Sequence, residues 1–469
     1  MPRLMRCQYC GVLQDEPPGV KLCVQCGGEL AYETEPPPEA RGYYVQAQME
    51  LDQVRVAAGR NAERYVLVTL RTPAQVPAGE APPTATGRPP LSFTAVLDIS
   101  GSMHGDKLAQ AKEAVRQALC RLHDGDSFAL ITFSNDVSCI FKPARVNDHT
   151  RRVVESALKE IQAGGMTALC GGLDLGLKKA RAMKQETNLV LLLSDGQANV
   201  GETDVELVGK RGYEARRQGI IVSTLGVGSD YNEALMVEIA TQGGGRFYHV
   251  KGAGQISAYL TGELGEVAAL AARDAALHLS LPAGAAVMPL SAAYPARQEG
   301  EQAIITLGDL PSDIELEVPI RLTLPAQPAG AKLSIDGSLT YQSPAGNPFT
   351  TPLNRVTLRF VEQAAFEPRD GVVVPVVTRV LEQMRAASVL GISRAMAKGP
   401  AEARQQADRE RSTVQQYASL LGEEKAEETL GVMDATFSVM QSAPGEAKKV
   451  VAAAFSRQRS TKTFDKDDA

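Results

Sequence analysis

The sequence predicts a multidomain α/β + β protein. A doubly wound, Rossmann-like α/β domain is set in or next to a β-sandwich, with a small cysteine-bearing module before it and helices after it. Three observations predict this. Between Ser92 and about Val250, strand-like and helix-like segments alternate, the pattern of a mostly parallel sheet covered by helices on both faces. From about residue 270, short alternating strands punctuated by Gly and Pro replace that pattern, as a sandwich requires. Four cysteines lie in two close pairs near the start. At 469 residues, the chain exceeds one ordinary core.

The first module spans residues 1–32. Cys7-x2-Cys10 and Cys23-x2-Cys26 are separated by twelve residues. Each pair offers two thiolates to one metal, and two pairs complete a tetrahedral S4 shell. The arrangement resembles a zinc ribbon, with Zn2+ held by Cys7, Cys10, Cys23 and Cys26. A filled shell leaves no position for a reacting water, so the expected role is structural. The proline-rich run at 33–42, which includes "ETEPPPEA", reads as an extended linker.

Residues 43–75 hold "YYVQAQMEL" and "RYVLVTL", strands with no partner nearby. They are expected to join the later strands of 270–365, which makes the α/β domain, at 91–258, an insertion. In that domain "SFTAVLD", "SFALITF", "NLVLLLS", "IIVSTLGVG" and "RFYHV" read as strands, with "DVSCIFKPA" in a hairpin. "DKLAQAKEAVRQALCRL" places Leu108, Ala111, Val115, Leu119 and Leu122 on one helical face. "DHTRRVVESALKEIQ" starts a helix at an expected Asp148 cap. Residues 372–445 are helical in pattern, and 446–469 read as a flexible tail.

"LDISGSM" carries the candidate chemistry: a buried strand ends in Asp98, and Ser100 and Ser102 follow at alternate positions. An aspartyl phosphatase would need a second acid where Ser100 stands. A P-loop would need a glycine spacing that "GSMHGDKL" lacks, and a serine nucleophile would need an elbow that is missing. A metal site explains more. Carboxylate and hydroxyl oxygens are hard ligands suited to Mg2+ or Mn2+. Magnesium wants six oxygens, so other strand-end loops must contribute. Thr167 in "AGGMTALCGGL" and Asp195 in "LVLLLSDGQANVG" occupy such loops, at the carboxyl ends where open α/β sheets place ligands.

"LDISGSM", "GDSFALITFSNDV", "GGMTALCGGLDLGL", "LLLSDGQANVG" and "GGGRFYHV" together resemble a von Willebrand factor A domain. The resemblance implies a metal-ion-dependent adhesion site made of Asp98, Ser100, Ser102, Thr167 and Asp195. It implies that the serines ligate directly, while Thr167 and Asp195 exchange direct and water-mediated roles. Two carboxylates and neutral hydroxyls leave a divalent ion able to take one more anionic oxygen, an Asp or Glu of a partner protein.

The expected function is therefore that of a bacterial-type adaptor or scaffold, binding rather than catalytic. Cytoplasmic relatives of the family work beside AAA+ ATPases, kinases or stress-response systems, so the resemblance implies a partner of that kind. A metal-dependent hydrolase using the same site, and a nucleic-acid-associated zinc-ribbon protein, are the alternatives. The net charge of −6 argues against a broad nucleic-acid surface. No apolar run reaches the roughly 18 residues of a membrane span, and "MPRLMRCQYC" lacks a secretion-signal pattern, so a cytoplasmic location is expected. Cys120 and Cys139 are expected as core thiols and Cys170 as a packing residue. His104 reads as a loop residue, and Asp174 and Asp204 as cap or surface residues.

Overall fold

The computed structural model describes residues 4–6, 13–15, 44–77, 80, 90–195, 198–228, 231–250 and 270–458. Strands β1 (Leu4–Arg6) and β2 (Leu13–Asp15) pair antiparallel. Cys7, Cys10, Cys23 and Cys26, and the linker 33–42, lie outside the described residues. Strands β3 (Gln46–Leu51), β4 (Arg55–Ala57) and β5 (Ala62–Arg71) come next.

The α/β domain follows. Its strands are β6 (Leu91–Asp98), β7 (Ser127–Phe133), β8 (Val137–Arg145), β9 (Thr187–Ser194), β10 (Ile221–Val227) and β11 (Gly244–Val250). They form one sheet in the order β11-β10-β9-β6-β7-β8, parallel except for β8. Strands β6, β7 and β9 are buried at every position. That is why their sequences are continuous apolar runs rather than alternations.

Helices α1 (Asp106–Arg121), α2 (Asp148–Glu160), α3 (Leu169–Ala182), α4 (Val205–Arg217) and α5 (Glu233–Gln242) cover the sheet. Helix α2 is capped by Asn147, not by the expected Asp148: the Asn147 side chain accepts the Thr150 N–H at 2.9 Å. Asp148 lies in the first turn, where a carboxylate faces the positive end of the helix. Asp204 caps α4, and Asp174 pairs with Arg211.

Helix α3 lies unusually close to the sheet. A Cβ on Gly172 would come within 2.4 Å of Phe133, and one on Gly176 within 2.4 Å of Val96. These two glycines, one turn apart, let the helix rest on β6 and β7.

Strands β12 (Leu270–Ser280), β13 (Ala286–Pro289), β14 (Ala296–Glu299), β15 (Gln302–Pro311), β16 (Glu315–Leu324), β17 (Lys332–Gln342), β18 (Pro348–Pro352) and β19 (Val356–Val361) follow. One sheet has the order β14-β15-β12-β17-β19-β4, with β18 on β17; the other is β13-β16-β5-β3. The two share one apolar core. Strands that precede the α/β domain thus pair with strands that follow it. β5 runs against β16 from Ala62↔Leu324 to Arg71↔Glu315. Val66, Val68 and Leu70 of β5 enter the core between the sheets, while Tyr65 and Leu67 enter a second core with the C-terminal helices. Burial on both faces explains the unbroken "YVLVTL".

Those helices are α6 (Val374–Lys398), α7 (Pro400–Ala418), α8 (Glu423–Ser442) and α9 (Pro444–Arg457). The helical region therefore continues past 445, where the sequence pattern suggested a tail from 446. Ala447, Val451, Ala454 and Phe455 are buried, and that burial holds α9 in place. Residues 459–469 lie outside the described residues. Among the described residues, no helix is long and apolar enough to cross a membrane. The expected core thiols also need correction: Cys170 is buried, but Cys120 is exposed and Cys139 half-buried. Cys120 falls one position past the buried Leu119 on α1, and Cys139 lies on the edge strand β8.

Close packing of α3 makes a clear prediction. Gly176→Val should destabilise the protein by about 3 kcal/mol, because Val96 is fully buried and cannot move aside. Gly431→Ala, on exposed α8 with open space around it, should be neutral or stabilise by up to about 1 kcal/mol. Urea denaturation of the two variants checks both.

Candidate metal centre

The centre of the sheet is where chain order reverses, between β6 and β9. Helices diverge at such a switch point and leave a crevice at the carboxyl ends of the strands. Asp98 is the last residue of β6, and Asp195 follows the last residue of β9. Both are fully buried.

After Asp98 the chain turns through a short 3-10 helix, Gly101–Met103. Met103 is buried and anchors the turn. The Ser100 N–H donates to Asp98 Oδ1 at 2.9 Å. Ser100 Oγ lies 3.1 Å from Ser102 Oγ, so the two hydroxyls of the motif stand together. On the other side, the Ser194 hydroxyl donates to Asp98 Oδ2 at 2.5 Å.

The loop bearing Thr167 is braced against this turn. The Gly101 N–H donates to Gly165 O at 2.9 Å, and the Gly164 N–H to Ile99 O at 2.8 Å. The Met166 N–H donates to Asn135 Oδ1 at 2.7 Å. Thr167 is almost fully buried. Its N–H donates to Asn199 Oδ1 at 2.7 Å, and its carbonyl accepts the N–H groups of Asn199 and Val200 at 3.2 and 3.3 Å. Asn199 thereby clasps Thr167 from the loop that follows Asp195.

Asp98 feels the Asp195 charge. Burial pushes the Asp98 carboxyl up to about 6, with the donors from Ser100 and Ser194 opposing and Asp195 adding to the rise. Lys107 Nζ of α1 donates to Asp195 Oδ2 at 3.2 Å, while Asp195 Oδ1 is buried with no hydrogen-bond partner among the described residues. The sequence motifs pointed to Asp98, Ser100, Ser102, Thr167 and Asp195. Asp98 ends β6, Ser100 and Ser102 lie in the turn after it, and Asp195 follows β9. Thr167, expected at a strand end, instead lies on the loop between α2 and α3, which backbone bonds hold against the turn after β6. The structure adds Lys107, Asn135, Ser194 and Asn199, whose parts depend on loop-to-loop contacts. His104 is an exposed loop residue. The Cys170 thiol donates to Glu202 O at 3.1 Å and is pushed up by burial, as a packing residue would be.

This fold and its strand-end loops define a von Willebrand factor type A domain, and residues 94–261 match that family. Among known proteins, the chain is 30% identical over 190 residues to the uncharacterized protein YfbK of Escherichia coli, covering 40% of this chain and 33% of that protein. It is 27% identical over 305 residues to the uncharacterized protein sll0103 of Synechocystis, covering 61% of this chain and 70% of the relative. It is 32% identical over 166 residues to inter-alpha-trypsin inhibitor heavy chain H3 of Bos taurus, with 33% of this chain against 18% of that one. The chain thus spans a third of YfbK and under a fifth of the heavy chain. Likeness of fold extends further. A von Willebrand factor type A protein from Catenulispora acidiphila superposes with a TM-score of 0.62 at 18% identity, covering 91% of this chain and 99% of that one. The ArnB paralog VWA2 from Sulfolobus acidocaldarius gives 0.56 at 17%, covering 89% and 100%.

The buried Asp98 carboxyl sets a pH dependence. Its folded value lies above the unfolded one, so the folded form holds the proton more tightly. The resulting cost to stability grows as pH rises from roughly 4 to 6 and remains above that. Asp98→Asn in EDTA is expected to be more stable than wild type at pH 8, by at most about 3 kcal/mol. The difference should shrink towards pH 4. Thermal melts across that range check the sign.

Proposed function

We propose that the α/β domain binds a protein partner through Mg2+ or Mn2+, and that the whole chain is an adaptor or scaffold. Asp98, Ser100, Ser102, Thr167 and Asp195 would hold the ion. One observation carries this reading: Asp195 Oδ1 is a buried carboxylate oxygen without a hydrogen-bond partner among the described residues, and the Asp195 charge raises the proton affinity of Asp98. Two buried carboxylates so placed are short of positive charge, and with hydroxyl neighbours they suit a small, hard divalent cation. Bound there, the ion would supply a Lewis-acid position for an Asp or Glu of the partner.

The residues of this chain provide the rigidity. Asn135 and Asn199 fix the Thr167 loop from two sides, and Ser194 orients Asp98. Met166, 50% exposed next to Thr167, offers an apolar contact beside the acidic side chain. The reading extends to the remaining modules. The four N-terminal cysteines hold one Zn2+ as a staple for a segment too short to fold alone. The two facing sheets form a β-sandwich that carries the α/β domain as an insertion, and the chain works in the cytoplasm.

A pull-down with the full chain tests the main reading. Partners retained in Mg2+ should be lost in EDTA and with Asp195→Ala; a partner set unchanged by both ends the proposal. Elemental analysis of freshly purified protein should find about one zinc per chain, lost in a Cys23→Ser variant.

A further inference from the structure

Lys107 stands where a cation is wanted. It is the second residue of α1, whose first turn follows the Ser100–Ser102 loop. Its ammonium donates to Asp195 Oδ2 at 3.2 Å; its side chain is 20% exposed, while that of Asp195 is fully buried. The path of its stem is built into the sheet. A Cβ on Gly228, just past β10, would come within 2.7 Å of Lys107 Cε and 3.3 Å of Cδ. The stem therefore lies across bare backbone, at a glycine whose φ of +87° disfavours other residues in any case. Asp98 is served differently, by the Ser100 N–H and the Ser194 hydroxyl.

The geometry points to Lys107 as a tethered cation that competes with the metal for Asp195. This rests on the metal reading above and concerns how that site is regulated. Of the three charged groups, two are carboxylates and one is an ammonium, so Lys107 cancels half of the negative charge that would draw a divalent ion. It engages one oxygen of Asp195, and the other has no hydrogen-bond partner among the described residues. A lysine stem is flexible, and an ammonium that is already partly exposed can withdraw to water. The arrangement keeps a buried carboxylate compensated when no metal is bound. It also raises the metal concentration at which the site fills.

Metal binding by the full chain tests this, with Mg2+ followed by titration calorimetry and Mn2+ by electron paramagnetic resonance. Lys107→Met should bind both ions at least about tenfold more tightly than wild type, as expected for removing a like charge a few ångströms from a divalent ion. Lys107→Gln, which keeps a hydrogen-bond donor without the charge, should tighten binding in the same direction. Lys107→Arg should stay within about threefold of wild type. In EDTA, Lys107→Met should melt below wild type, and its metal-induced rise in Tm should be larger. Folded Lys107→Met and Lys107→Gln proteins that bind as wild type or more weakly would overturn the inference, leaving Lys107 as a positioning residue only. A wild-type chain that binds neither ion would instead overturn the metal reading, and the inference with it.

Discussion

Two carboxylates buried at neighbouring strand ends are the constraint around which this molecule is arranged. An ionised carboxylate removed from water is unfavourable unless donors or cations compensate it. Asp98 and Asp195 are both fully buried, and the neighbouring loops are organised to make that tolerable. Ser100 and Ser194 donate to Asp98, and Lys107 to Asp195. The turn that carries Ser100 is tied to the Thr167 loop by backbone bonds, Gly101 to Gly165 and Gly164 to Ile99. These backbone bonds limit how far the Ser100 turn and the Thr167 loop can move apart.

The rest of the chain holds the α/β domain from two sides. From the sheets, the Ala293 and Leu307 carbonyls accept from Arg216 of α4 at 2.6 and 2.8 Å, and Arg273 pairs with Glu186. From the helices, Phe455 meets Phe247 edge-on at 6.2 Å, and Arg394 pairs with the buried Glu238. Lys448 of α9 is itself buried; it donates to the Tyr231 carbonyl, pairs with Glu233 at 2.8 Å and lies over the Tyr231 ring. That grip falls on Tyr231 and on the first turn of α5. Exposed pairs such as Lys398–Glu206 add little by comparison. Where the chain passes from β3 to β4, the fully buried Asp52 is pushed up to about 6 by burial, with Arg64 opposing. Its carbonyl accepts the Val373 N–H at 2.8 Å, so this junction joins the sheets to α6 while carrying a carboxylate at some cost in stability.

Much of this was legible in the sequence, for physical reasons. Strands β6, β7 and β9 are buried at every position, so they read as apolar runs, and Asp98 and Asp195 stand at the ends of two of them. The strands at 46–71 were expected to lack partners nearby; β3 in fact pairs with β5, while the other partners of β4 and β5 are distant, with Arg71 bonded to Glu315. Other features were not legible because they belong to tertiary contacts. Lys107 and Asn199 look like ordinary helix and loop residues until the loops meet. Helix α9 is apolar mainly through alanines, so its burial is visible only against α5, α6, α8 and β11. Asn147 and Asp148 are both good caps by type, and local geometry chose between them.

Helix α3 shows how far packing and site are the same property. Thr167 lies two residues before the helix begins, so its place over the crevice is set by where α3 rests. That position depends on Gly172 and Gly176, which leave room for Phe133 and Val96 and for little else. Phe133 ends β7 and Val96 lies two residues before Asp98. The same contacts that seat the helix therefore measure the distance from Thr167 to the carboxylate end of β6. Larger residues at those two positions would lift the helix and move the hydroxyl with it, even if every candidate ligand were kept. Close packing of α3 against β6 and β7 is thus part of the site, although neither glycine can hold an ion.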